Sequence, residues 1–128
     1  MKIKCNKIIS PTGKNLGDDS PWIKLNNEYV VLAMTFTEQS GIYVYIQTEH
    51  YDEPHFTSLI GFEFLNQKIP SSWITVFKET RGRKSMTLLP ESWNYGSFFE
   101  DIGNEDPKAV ELFNQEVEKI YREEGLID

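Results

Sequence analysis

Residues 90–125 read PESWNYGSFFEDIGNEDPKAVELFNQEVEKIYREEG, and their two halves decide the fold. In the second half, Asp106 is a natural N-cap and Pro107 suits the first helical position. Val110, Phe113, Val117, Ile120 and Tyr121 then recur at helical spacing and predict one buried stripe. Gly125 supplies a stop, and Lys119 and Arg122 near the end suit the helix dipole. In the first half, Trp93, Tyr95, Phe98 and Phe99 surround Gly96. So dense a set of aromatics predicts a mostly buried turn docked on something larger.

That larger body lies upstream and reads as strands. Residues 2–9 alternate, with Ile3 and Cys5 on one side, and predict a first strand. Residues 10–20 form a loop punctuated by Pro11, Gly13 and Gly17, and Asn26-Asn27 suits a tight turn. Residues 29–37 give the strongest strand, with Val30, Leu32, Met34 and Phe36 on one face. A loop at residues 38–41 returns the chain through residues 42–48, with Ile42, Val44 and Ile46 inward and Tyr43 and Tyr45 opposite. Residues 59–65 predict another strand. Residues 74–77 and 85–89 predict a hairpin whose tip carries Arg81, Arg83 and Lys84, read as a solvated turn.

The fold expected is one α+β domain over residues 1–128. Residues 1–89 form a twisted, mainly antiparallel sheet or open β-barrel, and residues 90–128 supply the aromatic turn and a C-terminal helix packed on it. Pattern reading gives about five to seven strands. A chain of 128 residues with 39% hydrophobic content can bury a core of that size.

Charge is distributed unevenly. Residues 91–128 hold 11 acids against 3 bases, whereas residues 1–90 hold 9 against 10. An acidic end of this kind disfavours nucleic acid or an anionic membrane as partner and suits a basic protein. No apolar run is long enough to span a bilayer, and no signal-peptide pattern opens the chain, so the cytoplasm is the expected compartment. Cys5 is the single cysteine, which excludes an intramolecular disulfide and reads as a small core residue.

Enzyme chemistry finds little footing. His50, Asp52 and His55 in the HYDEPH stretch could ligate a metal in a small metal-assisted hydrolase. Their spacing matches no zinc pattern, however, and a polar loop has the same composition. A calcium loop over residues 101–112 fails because its twelfth position is Leu112 rather than a bidentate acid. Phosphate loops, G-x-S-x-G elbows and HExxH motifs are all missing. Neither metal nor cofactor is expected, and the reading is a binding protein rather than an enzyme.

The carboxylates of the C-terminal segment are therefore candidates for a contact surface. Glu100, Asp101, Glu105, Asp106, Glu111 and Glu118 lie away from the predicted buried stripe. Leu112, projected among Glu116, Glu123, Lys108 and Lys119, would be an exposed apolar anchor ringed by charge.

The order of Ser20-Pro21-Trp22, Asn27-Glu28-Tyr29-Val30-Val31-Leu32, Phe62-Glu63, Ile69-Pro70-Ser71-Ser72-Trp73, Trp93…Gly96-Ser97-Phe98-Phe99-Glu100-Asp101 and Asp106-Pro107-Lys108-Ala109-Val110 resembles small immunity proteins. These belong to bacterial toxin–immunity systems, including contact-dependent growth inhibition. The resemblance implies a cytosolic protein that masks a cognate toxin domain, commonly a basic nuclease. An acidic adaptor or DNA mimic using the same helix is the other binding function this surface would fit.

Overall fold

The computed structural model describes residues 1–10, 12–17, 23–48 and 51–127, and only the backbone of residues 51–53. Eight strands and two helices follow in order: β1 (Lys2–Cys5), β2 (Glu28–Val30), β3 (Ala33–Thr37), β4 (Gly41–Thr48), β5 (Tyr51–Ser58), β6 (Phe62–Asn66), β7 (Trp73–Thr80), β8 (Arg83–Pro90), a 3₁₀ turn (Glu91–Trp93), α1 (Phe98–Gly103) and α2 (Pro107–Glu123). The fold is α+β, as expected.

The strands are antiparallel, as expected, and form two sheets with no closed barrel among the described residues. A small sheet runs β2-β1-β6 and a central sheet runs β5-β4-β3-β8-β7. The reason lies at Val31-Leu32. These neighbours are both buried, but Val31 packs in the cluster beneath the small sheet and Leu32 in the cluster beneath the helices. The run of residues 29–37 is therefore two strands in two sheets. Val31 donates its N–H to the Met1 carbonyl (3.0 Å) and Leu32 to that of Tyr45 (2.8 Å), so the crossing leaves no backbone donor unmet at this point.

The central sheet is covered on both faces. One face contributes Met34, Val44, Ile46 and Trp73 to a core shared with Ile3, Cys5 and Tyr29 of the small sheet. The other contributes Ala33, Tyr45 and Leu89 to a core shared with Trp93, Phe98, Ile102, Phe113 and Ile120. Strand alternation produces this division, since successive side chains point to opposite faces. Cys5 is buried, and burial pushes its thiol above the ordinary value against a weaker lowering by the Lys7 carbonyl.

Several sequence expectations are corrected. Residues 51–55 of the HYDEPH stretch are not a loop between strands: they open β5, which pairs antiparallel with β4 with a register shift at Gln47–Thr48, and His50 lies outside the described residues. Residues 59–61 form the turn before β6 rather than its beginning. Ile42 is 37% exposed rather than inward. The β7–β8 hairpin closes through Arg81 (φ 53°) and Gly82 (φ 75°), whose positive angles match the twist of a two-residue turn. The Ser20-Pro21-Trp22 motif and Asp18-Asp19 lie outside the described residues.

Candidate functional site

The acidic corner is built on an aromatic stack. Trp93 lies between Phe98 (centroids 4.9 Å apart, interplanar angle 12°) and Phe113 (5.4 Å, 17°). Its indole Nε1 donates to the Leu112 carbonyl at 3.1 Å, which fixes α2 to the 3₁₀ turn. Phe99 meets Tyr45 of β4 edge-on at 4.8 Å and Phe56 of β5 at 5.0 Å, so α1 sits over those two strands. This is the docking that the aromatic run predicts, with one exception. Tyr95 is 40% exposed, and its ring meets that of Phe98 in a T-shaped contact at 5.6 Å.

The turn from α1 to α2 is tight and fully bonded. Glu105 takes a positive φ of 56°; its N–H donates to the Ile102 carbonyl and that of Asp106 to the Asp101 carbonyl, a Schellman closure. Asp106 then caps α2, its Oδ2 accepting the Ala109 N–H at 3.1 Å, with Pro107 beginning the helix as the sequence predicts. The far end closes in the same way. Gly125 (φ 75°) and Leu126 donate to the carbonyls of Arg122 and Tyr121.

Four of the seven expected contact residues, Glu100, Asp101, Glu105 and Asp106, gather at this corner. Glu100, Glu105 and Asp106 are exposed and Asp101 is half-buried, accepting from Ser97 Oγ at 3.1 Å. Tyr95 responds to them: desolvation, then the charges of Asp101 and of Asp106, push its phenol above the ordinary value. An exposed aromatic ring beside carboxylates is the pairing that recognises a guanidinium or ammonium group.

The remaining three stand apart. Glu111 and Glu118 lie along the exposed side of α2, where Glu111 accepts from Gln115 (3.3 Å) and Glu118 from Arg122 (2.8 Å). Leu112 is not an exposed anchor; it is half-buried and packs against the helix-side core. Glu116, placed by the helical projection on the outer side, is 6% exposed. Its Oε1 accepts from Lys119 Nζ at 3.3 Å and from Ser92 Oγ at 3.4 Å, while Oε2 has no partner among the described residues. The stripe reaches as far as Glu116 because the 3₁₀ turn lies against that flank of α2. The sequence predicts the aromatic run to be mostly buried without saying that Tyr95 is the ring left outside. The signal available was Gly96-Ser97, a flexible polar break between Tyr95 and the two phenylalanines.

At the opposite end of β8 is a basic counterpart. A cleft of about 560 Å³ between the β3–β4 and β7–β8 turns is lined by Arg81, Arg83, Lys84 and Glu38. Glu38 Oε2 accepts the Lys84 N–H at 3.0 Å, joining the two turns. Of the His50, Asp52 and His55 set, only the His55 side chain is described; it lies on β5, opposite Ile46. Among the described residues no three of His, Cys, Asp and Glu group closely enough to hold a metal ion. Nor is any described helix long and apolar enough to cross a membrane.

No family model matches the chain, and neither curated proteins nor solved structures yield a match.

Proposed function

We propose that this protein binds and neutralises a basic protein, in the manner of an immunity protein masking a nuclease-type toxin domain, and that the α1–α2 corner is its contact surface. The carrying observation is Tyr95, 40% exposed and packed on Phe98 of α1, at the corner that holds Glu100, Asp101, Glu105 and Asp106. The carboxylates steer a cationic partner into encounter, and desolvation of Tyr95 against an arginine or lysine slows release. A partner that binds nucleic acid through a cationic groove would be blocked, because the corner occupies phosphate-binding positions with carboxylates.

This reading transfers the anchoring role from Leu112 to Tyr95. It also limits Glu111 and Glu118 to long-range attraction, since both are engaged along α2. The test is survival of a toxin-sensitive host that expresses the neighbouring upstream reading frame together with this gene. Wild-type protein restores growth, whereas a Tyr95→Ala, Asp101→Asn variant that remains folded does not. Killing that proceeds equally with and without the wild-type protein would sink the proposal.

A further inference from the structure

The central sheet carries an apolar row that runs out of its cover. Ile42, Phe36, Met86 and Phe77 are successive cross-strand partners on β4, β3, β8 and β7, all on the face turned toward the small sheet. Phe36 and Met86 are half-buried, and the row ends at Phe77, which is 76% exposed. β7 is an edge strand of eight residues. Among the described residues no further strand continues the ladder beyond it.

We propose that β7 pairs antiparallel with β7 of a second copy, about a two-fold axis passing through the Phe77–Phe77 pair. An axis perpendicular to the sheet keeps each residue opposite one from the same face, so only alternate registers are open. Centring on Phe77 sets Thr75 against Glu79 and Val76 against Lys78, with no like charges directly opposed. The row then continues unbroken from one copy into the next, as eight apolar residues across eight strands. Centring on Lys78 instead opposes two ammonium groups and places Phe77 against Glu79. Centring on Val76 sets Phe77 against Thr75 and breaks the row.

Charge excludes the Lys78 register and continuity of the row excludes the Val76 register, and a second copy supplies the matching row by symmetry. An unrelated strand would have to supply a matching apolar row at the same height. A lysine on an edge usually blunts pairing. Here Lys78 points to the helix side, as do Ile74 and Val76, and its stem covers the partner's Val76. The other edge, β5, lies under Phe99 of α1, so the dimer leaves both Tyr95 corners open.

Sedimentation equilibrium on the full chain tests this directly. The expected result is a species of twice the 14.9 kDa chain mass, converted to monomer by Phe77→Glu with an unchanged far-ultraviolet circular dichroism spectrum. A wild-type protein that remains monomeric at high concentration overturns the proposal. So does a dimer that persists in folded Phe77→Glu, since its contact lies elsewhere. If Phe77→Glu fails to fold, cross-linking decides. Phe77→Cys treated with a short bis-maleimide gives a covalent dimer through residue 77, as does the double variant Thr75→Cys, Glu79→Cys. Failure of both to cross-link overturns the register.

Discussion

Gly61 shows how one residue joins the two sheets. It ends the turn from β5 to β6 with φ 89°, and its carbonyl accepts from both Asn6 (2.8 Å) and Lys7 (3.0 Å). A Cβ at this position would collide with the Lys7 carbonyl oxygen. Gly61→Ala combines that collision with a backbone angle L-residues avoid, so it lowers stability by about 2 kcal/mol or more. Urea unfolding measures the loss. Glu124 ties the opposite ends of the chain together, accepting from the Met1 ammonium and, at 3.0 Å, from Asn66 Nδ2. Burial raises its pKa, but those two hydrogen bonds and the charges of the ammonium and Lys2 outweigh it and hold the carboxyl below its ordinary value. A carboxyl depressed on folding stabilises fully above its unfolded pKa, near 4.3, and ceases to do so as pH falls through the folded value. Glu124→Gln therefore costs about 1–3 kcal/mol at neutral pH and flattens the acid limb of the stability–pH curve. Thermal melts across acid pH read both effects.

Among the elements, α2 was the most legible in the sequence and β2–β3 the least. Asp106, Pro107 and Gly125 are local signals whose chemistry works wherever the helix docks, so the observed helix begins and ends at them. Residues 29–37 look like one strand because both halves obey the same alternation. What divides them is that Val31 and Leu32 serve different cores, a long-range fact that no window of sequence contains. The same limit applies to Glu116, whose burial depends on the 3₁₀ turn bringing Ser92 to it. At the candidate site the carboxylates were legible from composition. Tyr95 was not, because hydrophobicity alone does not say which ring of an aromatic run is left outside. Asp106 serves in both the fold and the site, and two substitutions separate its roles. Asp106→Ala loses the cap and about 1 kcal/mol of stability, while Asp106→Asn keeps the cap and removes the charge. Chemical denaturation should show the first destabilised and the second close to wild type, with partner affinity reduced in both.

At the scale of the whole molecule, the net charge of −7 is an incomplete description. The chain reaches the acidic α1–α2 corner from the Pro90 end of β8, whereas Arg81, Arg83 and Lys84 cluster at its Arg83 end. The eight residues of that strand span roughly 23 Å. On the proposed function, this polarity would orient a cationic partner toward the corner before contact, and added salt would slow that approach. Beneath the corner Trp93 stacks on Phe98 and Phe113 and donates a hydrogen bond to the Leu112 carbonyl, so the backbone of α1 and α2 has little freedom left to lose on binding. Titration calorimetry of the product of the neighbouring upstream reading frame, against wild type and Tyr95→Ala, addresses the central claim directly. The predicted result is a tight complex weakened by salt, and by about tenfold or more in Tyr95→Ala, as for loss of an interface anchor. Equal affinity for the two proteins, or a complex indifferent to both salt and the Tyr95 substitution, would contradict the assignment of the α1–α2 corner as the binding surface.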